Sequence, residues 1–123
     1  MGLGKISNVI LTVSDLERSL SFYRDILGIR VKDGFPGDFI FLDGGGTNLV
    51  LRKGKTNPGH TEVVFEVTDI HTTYNELRKK GITFLSPLRP VTYNETSDLY
   101  ATDFRDPDNH ICSITGWRPK FSL

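Results

Sequence analysis

The chain has 123 residues, of which 37% are hydrophobic and 24% are charged, and its formal net charge is zero. A chain of this length can bury a core of its own, and the balanced charge argues against nucleic acid or a membrane as a partner, because both favour basic surfaces. The single cysteine, Cys112, excludes an internal disulfide and a multi-cysteine zinc site; with no signal peptide or transmembrane run in the sequence, we expect a cytoplasmic protein.

The first predicted elements are a strand and the helix that follows it. Residues 8–13 alternate between apolar and mixed side chains, which predicts a strand with two different faces. Ser14 and Glu17 have the spacing of a capping box, and apolar residues then recur at helical spacing up to Leu27. Gly28 stands where a helix ends in a left-handed residue. The two strand faces consist of Val9, Leu11 and Val13 on one side and of Asn8, Ile10 and Thr12 on the other.

The same pattern returns in the second half of the chain. Residues 61–67 are predicted to form a strand, and Thr68 or Asp69 to cap a helix that ends at Lys80 and Gly81. The two faces of this strand consist of Val63, Phe65 and Val67 on one side and of Glu62, Val64 and Glu66 on the other.

Shorter extended segments, separated by turn residues, follow each helix. In the first half we predict strands over 29–35, 38–43 and 47–53. In the second half we predict strands over 83–85, 99–104 and 110–115. The segment 86–98 is rich in Pro, Asn, Thr and Ser, and we predict a loop over an opening there.

Each half therefore has the order β-α-β-β-β. One such unit covers only one face of its sheet with a helix, so two units can bury more surface by placing their sheets side by side. We predict an α+β fold of two tandem βαβββ modules, approximately 1–54 and 60–123, that form a curved mixed sheet with the helices outside. The strand faces that begin with Asn8 and Glu62 would line the resulting cup.

Two segments carry a resemblance to a known family. The stretch "VILTVSDLERSLSFYRDILG" and the later "FRDPDNHICSI" resemble the vicinal oxygen chelate superfamily, which includes glyoxalases, bleomycin-resistance proteins and extradiol dioxygenases. The resemblance covers essentially the whole chain and implies a single domain of this type over 1–123. In resistance-type relatives the cups commonly form between two subunits, so the resemblance also implies a homodimer.

Enzymes of that superfamily usually hold a divalent metal through three side chains, on the first, fifth and last strands. The matching positions here are Asn8, Glu62 and Ser113. An amide and a hydroxyl are weak, neutral ligands for a transition metal, so we expect no cofactor and no tight metal site. His60 would take the place of Glu62 only if the strand register slipped by two residues. We instead expect His60 to be an exposed histidine at the end of the linker. We expect His110 to face away from the cup.

The predicted cup combines apolar surface with a few polar groups, as small-molecule pockets do. Phe39, Phe41, Glu66, Thr102 and Ile111 are expected to share the inner faces. Trp117, placed beyond the last strand, would either close the mouth of the cup or anchor the C-terminal tail. The candidate ligand-binding residues are Asn8, Ile10, Thr12, Arg52, Glu62, Val64, Tyr100, Ser113 and Trp117.

Glu62 is the candidate catalytic residue. We expect it to be buried beside Val64 and Ile10, which would raise its pKa. It then serves as a counter-charge for a cationic ligand, as a general base, or only as a structural partner of Asn8 or Arg52.

Two functions follow from the intact pattern and the altered metal positions. The leading one is a small-molecule-binding protein without the usual metal triad, acting in drug or metabolite sequestration. The alternative is a metal-dependent or metal-free lyase, isomerase or dioxygenase of the glyoxalase type that uses Glu62. A third reading is a filled cup in a protein that acts through its surface.

Overall fold

The computed structural model describes residues 6–35, 39–56 and 61–120, and of 33–35 only the backbone. The chain divides into two compact units, Met1–Asn57 and Pro58–Leu123. The first unit contains β1 (Asn8–Val13), α1 (Leu16–Leu20) continued by a π-helix (Ser21–Ile26), β2 (Val31–Phe35), β3 (Phe39–Asp43) and β4 (Asn48–Lys53). The second unit contains β5 (Glu62–Glu66), α2 (Ile70–Lys79), β6 (Arg89–Tyr93), β7 (Ser97–Arg105) and β8 (Ile111–Pro119).

Each unit forms one four-stranded mixed sheet, and the two sheets have the same topology. Their strand orders are β1-β4-β3-β2 and β5-β8-β7-β6. In both, the first strand runs parallel to the last, whereas the remaining neighbours are antiparallel. The predicted α+β class and the two tandem βαβββ modules are confirmed. No helix in the described parts of the chain is long and apolar enough to cross a membrane.

The helical segment of the first unit differs from the prediction at its start. Asp15, not Ser14, is the N-cap, because its carboxylate accepts a hydrogen bond of 3.0 Å from the backbone N–H of Arg18. The hydroxyl of Ser14 instead accepts from the Arg18 guanidinium at 2.7 Å. The predicted capping box was therefore wrong by one residue.

After one turn the helix widens into π geometry. The backbone N–H of Leu27 bonds to the carbonyl of Phe22, five residues earlier, at 3.0 Å. Phe22 and Tyr23 of this π segment are both buried, with their rings 5.2 Å apart and nearly perpendicular. Gly28 follows with φ +75°, the left-handed end that the sequence predicts.

The core of the first unit lies against the predicted face of β1, but the first residue of that face is exposed. Leu11 and Val13 are completely buried, together with Leu42, Leu49 and Leu51 of the neighbouring strands. Val9, which shares their face, is exposed.

The second unit follows its predicted pattern at α2. The carboxylate of Asp69 accepts from the N–H of Thr72 at 3.1 Å and caps the helix, and Gly81 ends it with φ +97°. Ile70 and Leu77 are buried on the side of α2 that faces the sheet.

The region between α2 and β7 was predicted incorrectly. Residues 83–85 do not form a strand, and β6 lies inside the segment that was predicted to be a loop. Pro90 lies in β6, the edge strand of the sheet, where a missing N–H costs no ladder bond on the open side. The proline and polar residues of this segment are therefore compatible with an edge strand.

Candidate functional site

The strand register defines which side chains share the open face of the second sheet. Ser113 of β8 lies opposite Val64 of β5 and opposite Asp103 of β7, so these three residues share one face. Tyr100 and Thr102 have the other parity on β7 and lie on the side of α2. The ring of Tyr100 lies 5.4 Å from that of His71 in the helix. The predicted placement of Tyr100 and Thr102 beside Ser113 was therefore wrong, and Asp103 was missed.

Ser113 joins two carboxylates on this face. Its side chain is only 3% exposed, and its hydroxyl oxygen lies 2.8 Å from Glu62 Oε1 and 2.6 Å from Asp103 Oδ1. A serine hydroxyl has one proton, so it donates to one of the two carboxylates at a time. The three groups form one connected hydrogen-bonding site.

Two further side chains orient Asp103 from β6 and the segment before it. The hydroxyl of Ser86 donates to Asp103 Oδ2 at 3.1 Å, while the guanidinium of Arg89 donates to the Ser86 hydroxyl at 2.7 Å. A second guanidinium nitrogen of Arg89 lies 3.7 Å from Asp103 Oδ2. Arg89 thus offsets the charge of Asp103.

Glu62 differs from its prediction in both surroundings and partner. Its side chain is exposed, so the expected burial was wrong. Its carboxylate accepts a hydrogen bond from the Ser113 hydroxyl at 2.8 Å, a partner that was not predicted, whereas the Arg52 guanidinium donates to the hydroxyl of Thr12 at 3.0 Å. Within the described ranges, no cation lies at ion-pair distance from Glu62.

Apolar side chains share this face of the sheet with the polar groups. Val64 is 55% exposed and lies between the exposed residues Glu62 and Glu66 on the same face of β5. Trp117 is 41% exposed, lies on the same face of β8 as Ser113, and pairs with β7. It therefore belongs to the last strand, where it had been predicted to follow that strand. The face presents acidic and apolar groups side by side.

The first unit carries its own predicted set on one face. Asn8, Ile10 and Thr12 of β1 lie opposite alternate residues of β4, among them Arg52. Phe39 of β3 lies opposite Arg52. Phe41 has the same parity. The structure thus places the predicted residues of this unit on one side of its sheet.

The side chains at the three positions that correspond to metal ligands in the resembled superfamily have hydrogen-bond partners within their own units. The hydroxyl of Ser113 contacts two carboxylates, and the amide oxygen of Asn8 accepts from Asn48 at 3.0 Å. In the parts of the chain that the structure describes, no group of three or more His, Cys, Asp or Glu side chains is arranged to hold a metal. His60 lies outside these parts. His110 is buried.

Comparisons with known proteins agree with this architecture. The family model of the Glyoxalase/Bleomycin resistance protein/Dioxygenase superfamily matches residues 5–114. A mouse protein, mitochondrial methylmalonyl-CoA epimerase, is 32% identical over 103 residues, which cover 68% of this chain and 57% of that protein. Its human counterpart is 29% identical over 102 residues, covering 68% of this chain and 58% of that protein. The chain thus spans a little over half the length of these curated relatives.

Solved structures share the fold. TnmS3, an antibiotic binding protein from Streptomyces sp. CB03234, superposes with a TM-score of 0.76 at 20% identity, covering 98% of this chain and 99% of that one. Lactoylglutathione lyase from Agrobacterium tumefaciens superposes with a TM-score of 0.73 at 18% identity, covering 94% and 95%. At these identities the likeness concerns the fold alone.

Proposed function

Since the chain belongs to the Glyoxalase/Bleomycin resistance protein/Dioxygenase superfamily, we propose that it binds a small organic molecule and sequesters it without a bound metal. The observation that carries this proposal is the open face of the second sheet. There the exposed carboxylate of Glu62, which has no cationic partner within the described ranges, lies beside the exposed apolar side chain of Val64, and Trp117 lies farther along the same face. Apolar surface supplies affinity, and a few polar groups orient the ligand.

The rigidity of this face supports the proposal. The ladder of β5, β8 and β7 fixes the spacing of the side chains, and Ser113 ties Glu62 to the sheet at 2.8 Å. A preorganised surface loses little conformational entropy when a ligand binds. The TnmS3 structure, described as that of an antibiotic binding protein, is consistent with such a role for this fold.

The chain contains one tryptophan, so its fluorescence reports on this face directly. We expect a panel of amphipathic drugs and metabolites to include a compound that quenches Trp117 emission in a saturable manner. Glu62→Gln should weaken binding of a cationic hit, because the counter-charge is removed. Glu76→Gln, an exposed change on α2, serves as the matched control. Stoichiometric Ni, Mn, Fe or Zn in equilibrium dialysis would contradict the metal-free proposal.

A second function is favoured by one specific contact, the hydroxyl of Ser113 between two carboxylates. In an enzyme of the epimerase or isomerase type, exposed Glu62 would accept a proton from a carbon next to a carbonyl group. Ser113 and Asp103 would then share the added proton through the 2.8 and 2.6 Å contacts. The curated relatives named as methylmalonyl-CoA epimerases are consistent with proton transfer of this kind.

Solvent exchange tests the enzymatic function. Methylmalonyl-CoA incubated with the protein in heavy water should take up deuterium at its α-carbon, as detected by NMR. Glu62→Gln should abolish the exchange and Asp103→Asn should slow it, whereas Glu76→Gln should leave it unchanged. Exchange that persists in Glu62→Gln would eliminate this role. Absence of exchange in the unchanged protein would eliminate methylmalonyl-CoA as the substrate.

We also propose that the protein is a homodimer. The exposed apolar side chains of Val9 and Ile10 on β1 support burial of this surface in the assembled protein. Sedimentation velocity at micromolar concentration should give the mass of two chains, and a monomer mass would refute this proposal. The remaining hypothesis is that the protein acts only through its surface. A thermal-shift screen in which no ligand raises the melting temperature would favour this hypothesis.

A further inference from the structure

A separate cleft lies between α2 and the segment 82–87 that follows it. Its volume is about 530 Å³, within the range of small-molecule sites. Its lining includes Tyr74 and Arg78 from α2 and Phe84, Leu85 and Pro87 from the following segment.

The walls of this cleft are aromatic and supported from behind. The rings of Tyr74 and Phe84 lie 4.5 Å apart with a tilt of 31°. Phe84 in turn packs edge-on against the ring of Phe104, which is almost completely buried, at 5.7 Å. Leu85 leaves half of its surface exposed in the same cleft. The cleft therefore offers a fixed aromatic surface that faces water.

The charge of the cleft is positive. Arg78 lies one helical turn after Tyr74, with its guanidinium carbon 5.6 Å from the centre of that ring. None of the residues that line the cleft is acidic, and no carboxylate in the described ranges forms an ion pair with Arg78. Lys79 and Lys80 follow directly in the chain. An anion that enters the cleft meets the guanidinium of Arg78, and the lining itself carries no carboxylate.

We propose that this cleft is a second binding site, which takes a flat aromatic carboxylate. The aromatic ring would lie against the half-buried rings of Tyr74 and Phe84, where it replaces water on the parts that face the cleft. The carboxylate would pair with the guanidinium of Arg78, whose planar fork matches the two carboxylate oxygens. Because Arg78 is already held over Tyr74, pairing requires little further ordering of its side chain.

This site is distinct from the face that carries Glu62, although one residue approaches both. Ser86 lies at the lining of the cleft, and its hydroxyl donates to Asp103 at 3.1 Å. Neither Tyr74 nor Arg78 takes part in the hydrogen bonds of Glu62, Ser113 and Asp103. Glu62→Gln therefore separates the two proposals, because it should leave binding in the cleft unchanged.

Titration of 2-naphthoate into the ¹⁵N-labelled full chain tests the inference by NMR. We expect saturable shifts concentrated in residues 74–87, and a dissociation constant that is roughly tenfold higher in Arg78→Gln. Lys79→Gln removes a neighbouring positive charge that does not line the cleft, and it should change the constant by less than about twofold. The neutral analogue 2-naphthamide should bind to the unchanged protein about as weakly as 2-naphthoate binds to Arg78→Gln.

Three results would overturn the site. The first is a set of shifts that lies outside residues 74–87. The second is equal weakening by Arg78→Gln and Lys79→Gln, which would indicate general attraction to the basic end of the helix. The third is equal affinity for the acid and the amide.

Discussion

Replacing Gly116 with alanine tests how closely α2 approaches the second sheet. A Cβ atom added at this glycine of β8 would lie 2.9 Å from the Cβ of Ile70 and 3.0 Å from the carbonyl oxygen of Val67. Unstrained carbon contacts lie at about 3.5–4.0 Å, so the added atom intrudes by roughly half an ångström or more. The Val67 oxygen belongs to the backbone and the Ile70 Cβ is attached directly to it, so rotation of a side chain moves neither atom away. The start of α2 must therefore shift.

The expected cost combines two opposing effects. Overpacking a tight core contact costs about 1–3 kcal/mol. Alanine also restricts the unfolded chain, which returns about 0.4–1 kcal/mol where the backbone conformation is ordinary. Gly116 is not among the glycines with positive φ, so this gain applies. The net loss in the free energy of unfolding should be about 1–2 kcal/mol, equivalent to a melting temperature lower by about 4–8 °C for a chain of this size.

Urea unfolding followed by circular dichroism, together with a thermal scan, measures this loss. Gly54→Ala is the matched control, because its added Cβ would meet one side-chain methyl, that of Thr12 at 3.0 Å, and no backbone atom. We expect this variant to lose less than half as much stability as Gly116→Ala. A Gly116→Ala protein as stable as the unchanged chain, or a control that loses equally, would refute the close approach of Ile70 to β8.

Three further predictions concern the second unit. Phe104→Ala removes an almost completely buried ring and should cost about 3–5 kcal/mol in urea unfolding; a loss below 1 kcal/mol would contradict its place in the core. The pKa of Asp69 is lowered, first by the hydrogen bond from the backbone N–H of Thr72 and then by that from the Thr72 side chain. The ionised Asp69 should therefore stabilise the fold above about pH 4, and this stabilisation should disappear as the pH falls through the lowered pKa. The melting temperature of Asp69→Asn should therefore fall less steeply between pH 5 and pH 2, and an identical slope would exclude Asp69 as a source. Cys112, with no exposed surface, should react with a thiol reagent only after denaturant is added, and prompt labelling of the folded protein would show that β8 opens.

The candidate site shows where sequence patterns stop being informative. Ser113 and Glu62 were identified because their strands alternate regularly and because their positions match a family pattern. On β7 the same alternation favoured Tyr100, since nothing in a single strand states which face is covered by a helix. Asp103 became visible only when the register with β8 placed it opposite Ser113. The sequence of β7 alone does not single out Asp103, because the same strand also contains Asp98.

The amino-acid sequence by itself determined the local elements and their duplication. The period-two runs of β1 and β5, the caps at Asp69 and Gly81, and the left-handed Gly28 depend on residues that are close in the chain. The tertiary structure decided the features that depend on distant residues. Pairing with β7 makes the proline-containing segment 89–93 an edge strand, and packing of Phe22 and Tyr23 accompanies the π-helix. Ladder pairing, which no local pattern contains, brings Glu62 and Asp103 to the two sides of one buried hydroxyl.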